Sequence, residues 1–256
     1  MMKKTLAVSN TIALLVTIFV NYLSNTGLLN GNTMKTMSDQ YFNYFTPAGY
    51  AFSIWGLIYL TLLGFVISTL RSSFGKQDKD DHVLKVGWWF VISCVANSLW
   101  VVAWLYDYTA LSVMLMIVIL VSLLKIILNA KLNLVPQTLN SYFFNYLPFA
   151  LYSGWISVAL IANIAAYLTK INWDALGISS IYWTVIMICI AGLVNIFMIF
   201  TRNLREYGLV GTWALVAISV SNGNDAVGKP IVYACYAVAA ILSVSIALNL
   251  LKARKH

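Results

Sequence analysis

Three aromatic stripes carry the chemistry that this sequence can offer. Phe52, Trp55 and Tyr59 recur at i, i+3 and i+7; Asn97, Trp100 and Trp104 repeat that spacing; Tyr152, Trp155, Ala159 and Asn163 form a third series. On an α-helix each set falls on one face. Aromatic faces stack on planar or rigid apolar bodies without needing charge. Asn97 and Asn163 stand in apolar surroundings. Lipid cannot satisfy an amide, so both turn their stripes toward protein or a polar ligand group. That is the chemistry of binding. The same periodicity also serves plain packing between helices, and spacing alone leaves both readings open.

Groups that would carry catalysis or coupled transport are missing from the apolar runs. No Asp, Glu, Lys, Arg or His stands mid-run; Lys125 comes nearest, at the end of one, where it can snorkel. Ion- and proton-coupled carriers place ionisable groups near the midplane, and a retinal protein needs a lysine within a helix. Both are disfavoured. His82 and His256 have no spacing for a metal or a catalytic pair. No Gly-rich phosphate loop, nucleophile elbow or zinc signature occurs. Cys94, Cys189 and Cys235 all lie inside apolar runs, so no disulfide framework is expected and none is a reactive-site candidate. The expected metal and cofactor content is therefore none.

The elements that must position the stripes are membrane helices. The chain has 256 residues, 61% hydrophobic and 9% charged, with a mean hydropathy of +0.82. Soluble domains carry about 25% charged residues. Eight apolar runs stand out: Leu6–Leu23, Ala48–Leu70, Val86–Tyr106, Thr109–Leu124, Tyr142–Leu168, Leu176–Phe200, Tyr207–Val220 and Pro230–Leu251. They are too long and too uniform for barrel strands, and each except the short seventh suits a ~30 Å core. The expected fold class is all-α, a polytopic membrane helix bundle of eight transmembrane helices.

Orientation follows from Lys and Arg in short loops. With the N-terminus inside, thirteen basic residues fall on the cytoplasmic side: Lys3, Lys4, Arg71, Lys76, Lys79, Lys85, Lys125, Lys131, Arg202, Arg205, Lys252, Arg254 and Lys255. Lys35, Lys170 and Lys229 fall outside, and the acids divide evenly. Both termini are thus expected in the cytoplasm. The net charge of +8 reports topology, and nucleic acid is not expected as a partner. Met1–Lys4 ahead of an apolar run could open a signal peptide, but Asn21, Tyr22 and Leu23 follow the run, so it is expected to stay as the first helix. In this orientation the three stripes share the outer half, beneath a polar first outer loop, Ser24–Pro47, whose length suits a lid or binding loop. Trp88, Trp89 and Trp173 suit membrane interfaces.

These residues resemble a known family. Pro47-Ala48-Gly49-Tyr50-Ala51-Phe52, continuing through Trp55 to Tyr59, is similar to the start of the second helix of the TspO/MBR family, the tryptophan-rich sensory proteins related to the mitochondrial translocator protein. Asn97-Ser98-Leu99-Trp100 resembles that family's third-helix motif, and Tyr152, Trp155, Ser157, Ala159 and Asn163 its fifth. The resemblance covers about residues 6–168. It implies a five-helix bundle over 1–170 with a ligand pocket covered by the loop after the first helix, and three additional helices over 171–256. Family members bind porphyrins, sterols and related hydrophobic molecules. The match brings forward Trp55, Asn97, Trp100, Trp155 and Asn163 as lining, with Tyr50, Phe52 and Tyr59 behind them and Trp104 and Tyr152 on the same stripes. Two positions depart from the pattern. Leu151 stands where the family has a proline, with Pro148 three residues earlier, and Ala48 replaces a second proline.

The expected function is a membrane binding or sensory protein for a planar hydrophobic ligand, a porphyrin or a sterol-like lipid. Further expected partners are membrane lipids and a second copy of the chain. A carrier of a small hydrophobic solute is the alternative, as is a slow light-dependent porphyrin-degrading enzyme; binding stands ahead of catalysis. The expected location is a bacterial inner membrane. Trp183 and Asn195, on the sixth run, are the groups to watch outside the resemblance.

Overall fold

The computed structural model describes residues 1–75, 82–132, 134, 138–224 and 226–253. Lys76, Asp78, Lys79, Asp80, Asp81, Asp225, Arg254, Lys255 and His256, all used above for orientation or chemistry, lie outside the described residues. Among the described residues the chain is helical and carries no strand. Eight helices of 17 residues or more fall on the eight expected runs: α1 (Met2–Leu23), α2 (Ile54–Phe74), α3 (Trp89–Leu105), α4 (Thr109–Asn129), α5 (Leu147–Lys170), α6 (Ser180–Arg202), α7 (Arg205–Asn222) and α8 (Lys229–Ala253). Six segments are long and apolar enough to cross a membrane: those of α1, α2, α4, α5, α6 and α8. α3 is apolar but shorter, and α7 begins on the charged pair Arg205 and Glu206.

Many hydroxyls inside these helices bond to their own backbone. Thr11 donates to the Ala7 carbonyl at 2.8 Å, Thr184 to Ser180 at 2.8 Å and Ser243 to Ala239 at 2.9 Å. Such back-bonding lets Ser and Thr sit in an apolar helix without a partner elsewhere.

The helices fall into two compact units, and the chain crosses between them three times. The first comprises residues 1–37 and 55–153. Here α3 packs chiefly on α4 and then on α1. The α3–α4 turn is three residues long and places Asp107 at φ 64°, a conformation that Asp tolerates better than most side chains. Asp107 N–H donates to Trp104 O at 3.1 Å and Tyr108 N–H to Ala103 O at 2.8 Å, the paired bonds that close a helix at a left-handed residue. The core is a triad of buried rings, Phe65, Phe90 and Phe149, with centroids 5.0–5.8 Å apart. α5 is preceded by a π-helical turn, Tyr142–Tyr146, whose Leu147 N–H reaches back to Tyr142 O. Pro148 explains it: the proline has no N–H for the Phe144 carbonyl and its ring crowds that carbonyl, so the turn widens.

The second unit comprises residues 38–54 and 154–256. α7 packs most closely on α8, α8 on α6, and α7 on α6. The two-residue α6–α7 link turns on Asn203 at φ 58°. Asn249 of α8 fastens this corner: its Nδ2 donates to Ile199 O at 3.1 Å and to Asn203 Oδ1 at 2.9 Å, and its Oδ1 accepts from Arg205 Nε at 2.6 Å. Between α5 and α7 the approach is closer than most side chains meet. A Cβ on Gly154 would lie 3.1 Å from Tyr207 Cα and 3.2 Å from its carbonyl oxygen. Small residues of this kind let membrane helices touch backbone to backbone.

The loop Ser24–Pro47 is not wholly irregular. Met34–Gln40 is a short helix, too brief and too polar to show a periodic apolar face. The loop's earlier part is tied to α3, because Asn30 and Asn32 both donate to the Leu105 carbonyl at 3.1 Å.

Gly154→Leu should therefore lower stability in detergent by about 1–3 kcal/mol, the usual cost of overpacking. Gly56→Ala, on α2 where an added Cβ meets nothing within 4 Å, should hold or raise it by up to ~1 kcal/mol. Equal thermal midpoints for the two variants would contradict the close α5–α7 approach.

Candidate functional site

Each unit holds part of the aromatic set. In the first, α2 supplies Trp55 and Tyr59, α3 supplies Asn97, Trp100 and Trp104, and the first half of α5 supplies Tyr152. Trp55 is the hub. It stacks on Tyr59 at 5.4 Å and 21°, lies tilted to Trp100 at 6.3 Å, and meets Tyr152 edge-on at 5.7 Å. Trp100 and Trp104 are each 6% exposed, while Trp55 and Tyr59 are only partly buried. Beneath the rings runs a polar chain. Asn97, fully buried, donates through Nδ2 to the Tyr152 hydroxyl at 3.0 Å and accepts from Asn21 Nδ2 at 2.7 Å. Asn21 also donates to Thr17 O at 2.9 Å, and the Thr17 hydroxyl reaches Cys94 O at 3.0 Å. Both amides in this chain thus hold a neighbour in place.

Two polar atoms of the cluster are not spent. Trp100 Nε1 and the Tyr59 hydroxyl are buried with no hydrogen-bond partner among the described residues. Buried polar groups are nearly always paired, so such exceptions need a cause. Both belong to rings that flank Trp55.

The remaining predicted residues belong to the second unit. Phe52 meets Trp155 edge-on at 6.0 Å. Tyr50 is 41% exposed and packs edge-on against Trp213 at 5.1 Å. Trp213 Nε1 donates to Ala51 O at 3.4 Å, and Ala48 N–H to Ala217 O at 3.0 Å. Asn163 is 5% exposed. The second unit also contains a cavity of about 630 Å³, walled by Phe42–Phe45, the Lys170 end of α5, Trp173 and the first turns of α6. None of the ten predicted residues lines it.

Sequence reasoning passed over Asn21 and Trp213. Asn21 had a signal: Asn10, Thr17 and Asn21 are spaced i, i+7 and i+11 on one face of α1 and are all buried. Trp213 had none, since its partner is the backbone of a segment more than 160 residues earlier.

Replacing Asn97 with Leu should cost about 1–3 kcal/mol, because it takes one of the two bonds of Asn21 Nδ2 and leaves the Tyr152 hydroxyl with one bond fewer. Asn21→Leu combined with Asn97→Leu should cost less than the sum of the single changes. Additive losses in a detergent unfolding titration would show that the two amides do not act together.

A family model described as TSPO-like protein matches residues 7–248. The match continues well beyond the five spans whose motifs carry the resemblance and takes in α6, α7 and nearly all of α8. No curated protein and no solved structure gives a significant match. With six helices suited to crossing a membrane and a family match over nearly its whole length, the chain is an integral membrane protein and belongs to the TSPO-like family.

Proposed function

We propose that the protein binds a planar hydrophobic ligand of the porphyrin class at the aromatic cluster around Trp55, as a binding or sensory protein of a bacterial inner membrane. The observation that carries this reading is the pair of unpartnered buried atoms on the rings beside Trp55, Trp100 Nε1 and the Tyr59 hydroxyl. A flat ring system offers the Trp55 cluster a stacking surface, and its nitrogens or carboxylate oxygens offer those two atoms partners. Pockets for such ligands are mostly apolar with a few placed polar groups, and the Asn21–Asn97–Tyr152 chain supplies a rigid backing. A sterol-like lipid with one hydroxyl would use the same surface less fully.

The reading includes eight spans with both termini in the cytoplasm. It is supported by the alternation of basic residues along the chain: Lys35, Lys170 and Lys229 at one set of helix ends, Arg71, Lys85, Lys131, Arg202 and Arg205 at the other. α3 rises only about 25 Å in 17 residues, at ~1.5 Å per residue, so the bilayer must thin slightly around it or the flanking residues must complete the span.

Titrating the purified protein with protoporphyrin in the dark should quench its Trp fluorescence saturably, and Trp100→Phe should weaken binding about tenfold by removing the donor. An unchanged affinity in that variant would sink the site, and the absence of any saturable quenching would sink the ligand class. Light-dependent loss of the porphyrin spectrum, stopped by Trp55→Phe, would extend binding to turnover. Reporter fusions at the loops holding Lys131 and Lys170 should report opposite sides of the membrane.

A further inference from the structure

The cavity of the second unit is a separate matter from the Trp55 cluster, and its walls differ in kind. Phe42, Tyr44, Phe45, Trp173, Trp183 and Met187 give it aromatic and thioether surface. At about 630 Å³ it falls in the range of pockets that hold a small organic ligand. No Asp, Glu, Lys, Arg or His is among its described lining residues. Most of its polar groups are already engaged. Asn43 Oδ1 accepts from Phe45 N–H at 3.0 Å, Thr184 donates to Ser180 O at 2.8 Å and Thr169 to Ala165 O at 2.9 Å. The lining also includes the exposed Asn172 and Ser180.

The aromatic wall is held in place at a cost. In the turn 172–177, Asn172, Ala175, Leu176 and Gly177 all take positive φ, between 51° and 73°. For Ala and Leu this costs roughly 1–2 kcal/mol each. Leu176 is 72% exposed, so the strain does not bury it. Its effect is to aim the Ala175 carbonyl at Trp183, whose Nε1 donates to it at 2.6 Å, while Trp173 lies 5.3 Å from Trp183. Asp174 braces the turn by accepting from Leu176 N–H at 3.1 Å. Strain persists where the surroundings over-determine it, and it gathers at ligand clamps.

We propose that this cavity is a second ligand site, built for an uncharged, ring-bearing molecule with a single carbonyl or hydroxyl directed to Asn172 or Ser180. Aromatic walls favour the ring body. An ionised ligand would lose its hydration against a lining with no opposite charge to replace it, so carboxylate-bearing tetrapyrroles are discriminated against here.

Benzophenone, a neutral aromatic ketone that cross-links to nearby C–H bonds under near-ultraviolet light, tests this on the whole protein in detergent. Saturable labelling should map to Met187 or its neighbours on α6, and anionic 4-benzoylbenzoate should label that peptide at least about tenfold less. Ala165→Trp, which fills the cavity from α5, should abolish the α6 label. Trp183→Ala, which removes the wall and leaves the helices' packing contacts elsewhere, should weaken it about tenfold. Trp100→Phe and excess protoporphyrin should leave it unchanged, which separates this site from the one proposed above. Non-saturating label, equal label by both probes, or full label in Ala165→Trp with helicity retained would each overturn the proposal.

Discussion

A polar group inside an apolar helix has no water to bond, and the arrangement of this molecule depends on how each one is answered. Most serines and threonines answer locally, donating to their own helix, although the Thr17 hydroxyl also reaches Cys94 O of α3. Asparagine cannot do so completely. Its two donors and its acceptor must find a second helix, and in doing so they choose which helix and at what height. Asn97 fixes α3 against α1 and the start of α5 through Asn21 and Tyr152. Asn249 fixes α8 against the α6–α7 corner. Asn222 at the end of α7 donates to Tyr44 O at 3.0 Å. Uniformly apolar surfaces slide past one another at little cost, so these amides supply register that hydrophobic packing alone would leave loose.

The same logic separates what the sequence makes legible from what it hides. Long apolar runs announce eight helices, because length and composition are local properties. Their ends are hidden where backbone chemistry decides. Residues 49–53 form a 3-10 turn before α2. Pro148 opens a π turn before α5. The Ser179 side chain caps α6 several residues after its apolar run begins. Aromatic stripes are legible as faces, since period 3.6 is visible in one chain. The partner that each face meets is not, because Trp55 meets Trp100 and Tyr152 only through the tertiary fold. The cavity walled by Trp173 and Trp183 could not be read at all. Its shape rests on positive φ values at Ala175 and Leu176, residue types that give no hint of that conformation.

The two proposed ligand sites use polarity in opposite ways. Around Trp55 two buried polar atoms are left unanswered, which would select a ligand able to answer them. Around the cavity of the second unit most lining polar groups bond to the protein itself, which would select a ligand that asks for little. Asn10 of α1 warns against equating every orphan with a site. Its amide is fully buried and neither Nδ2 nor Oδ1 has a partner among the described residues, yet it stands beside Leu6 and Ala7, whose packing with Val83 is wholly aliphatic. Adjacency to stacking rings is what distinguishes Trp100 Nε1 and the Tyr59 hydroxyl.

The last three helices also acquire a reason. The segment from Pro47 to Ile54 opens the motif by which the chain resembles its family, and within the second unit that segment lies on α7. Ala48 N–H bonds to Ala217 O, Trp213 Nε1 to Ala51 O, and Tyr50 packs on the Trp213 ring. A 3-10 turn of five residues exposes backbone groups that an isolated five-helix protein would have to satisfy by other means. Here α7 satisfies them, and α6 and α8 hold α7 in turn. Helices that support the motif are under the same constraint as the motif itself, and this accounts physically for a family match that runs to residue 248.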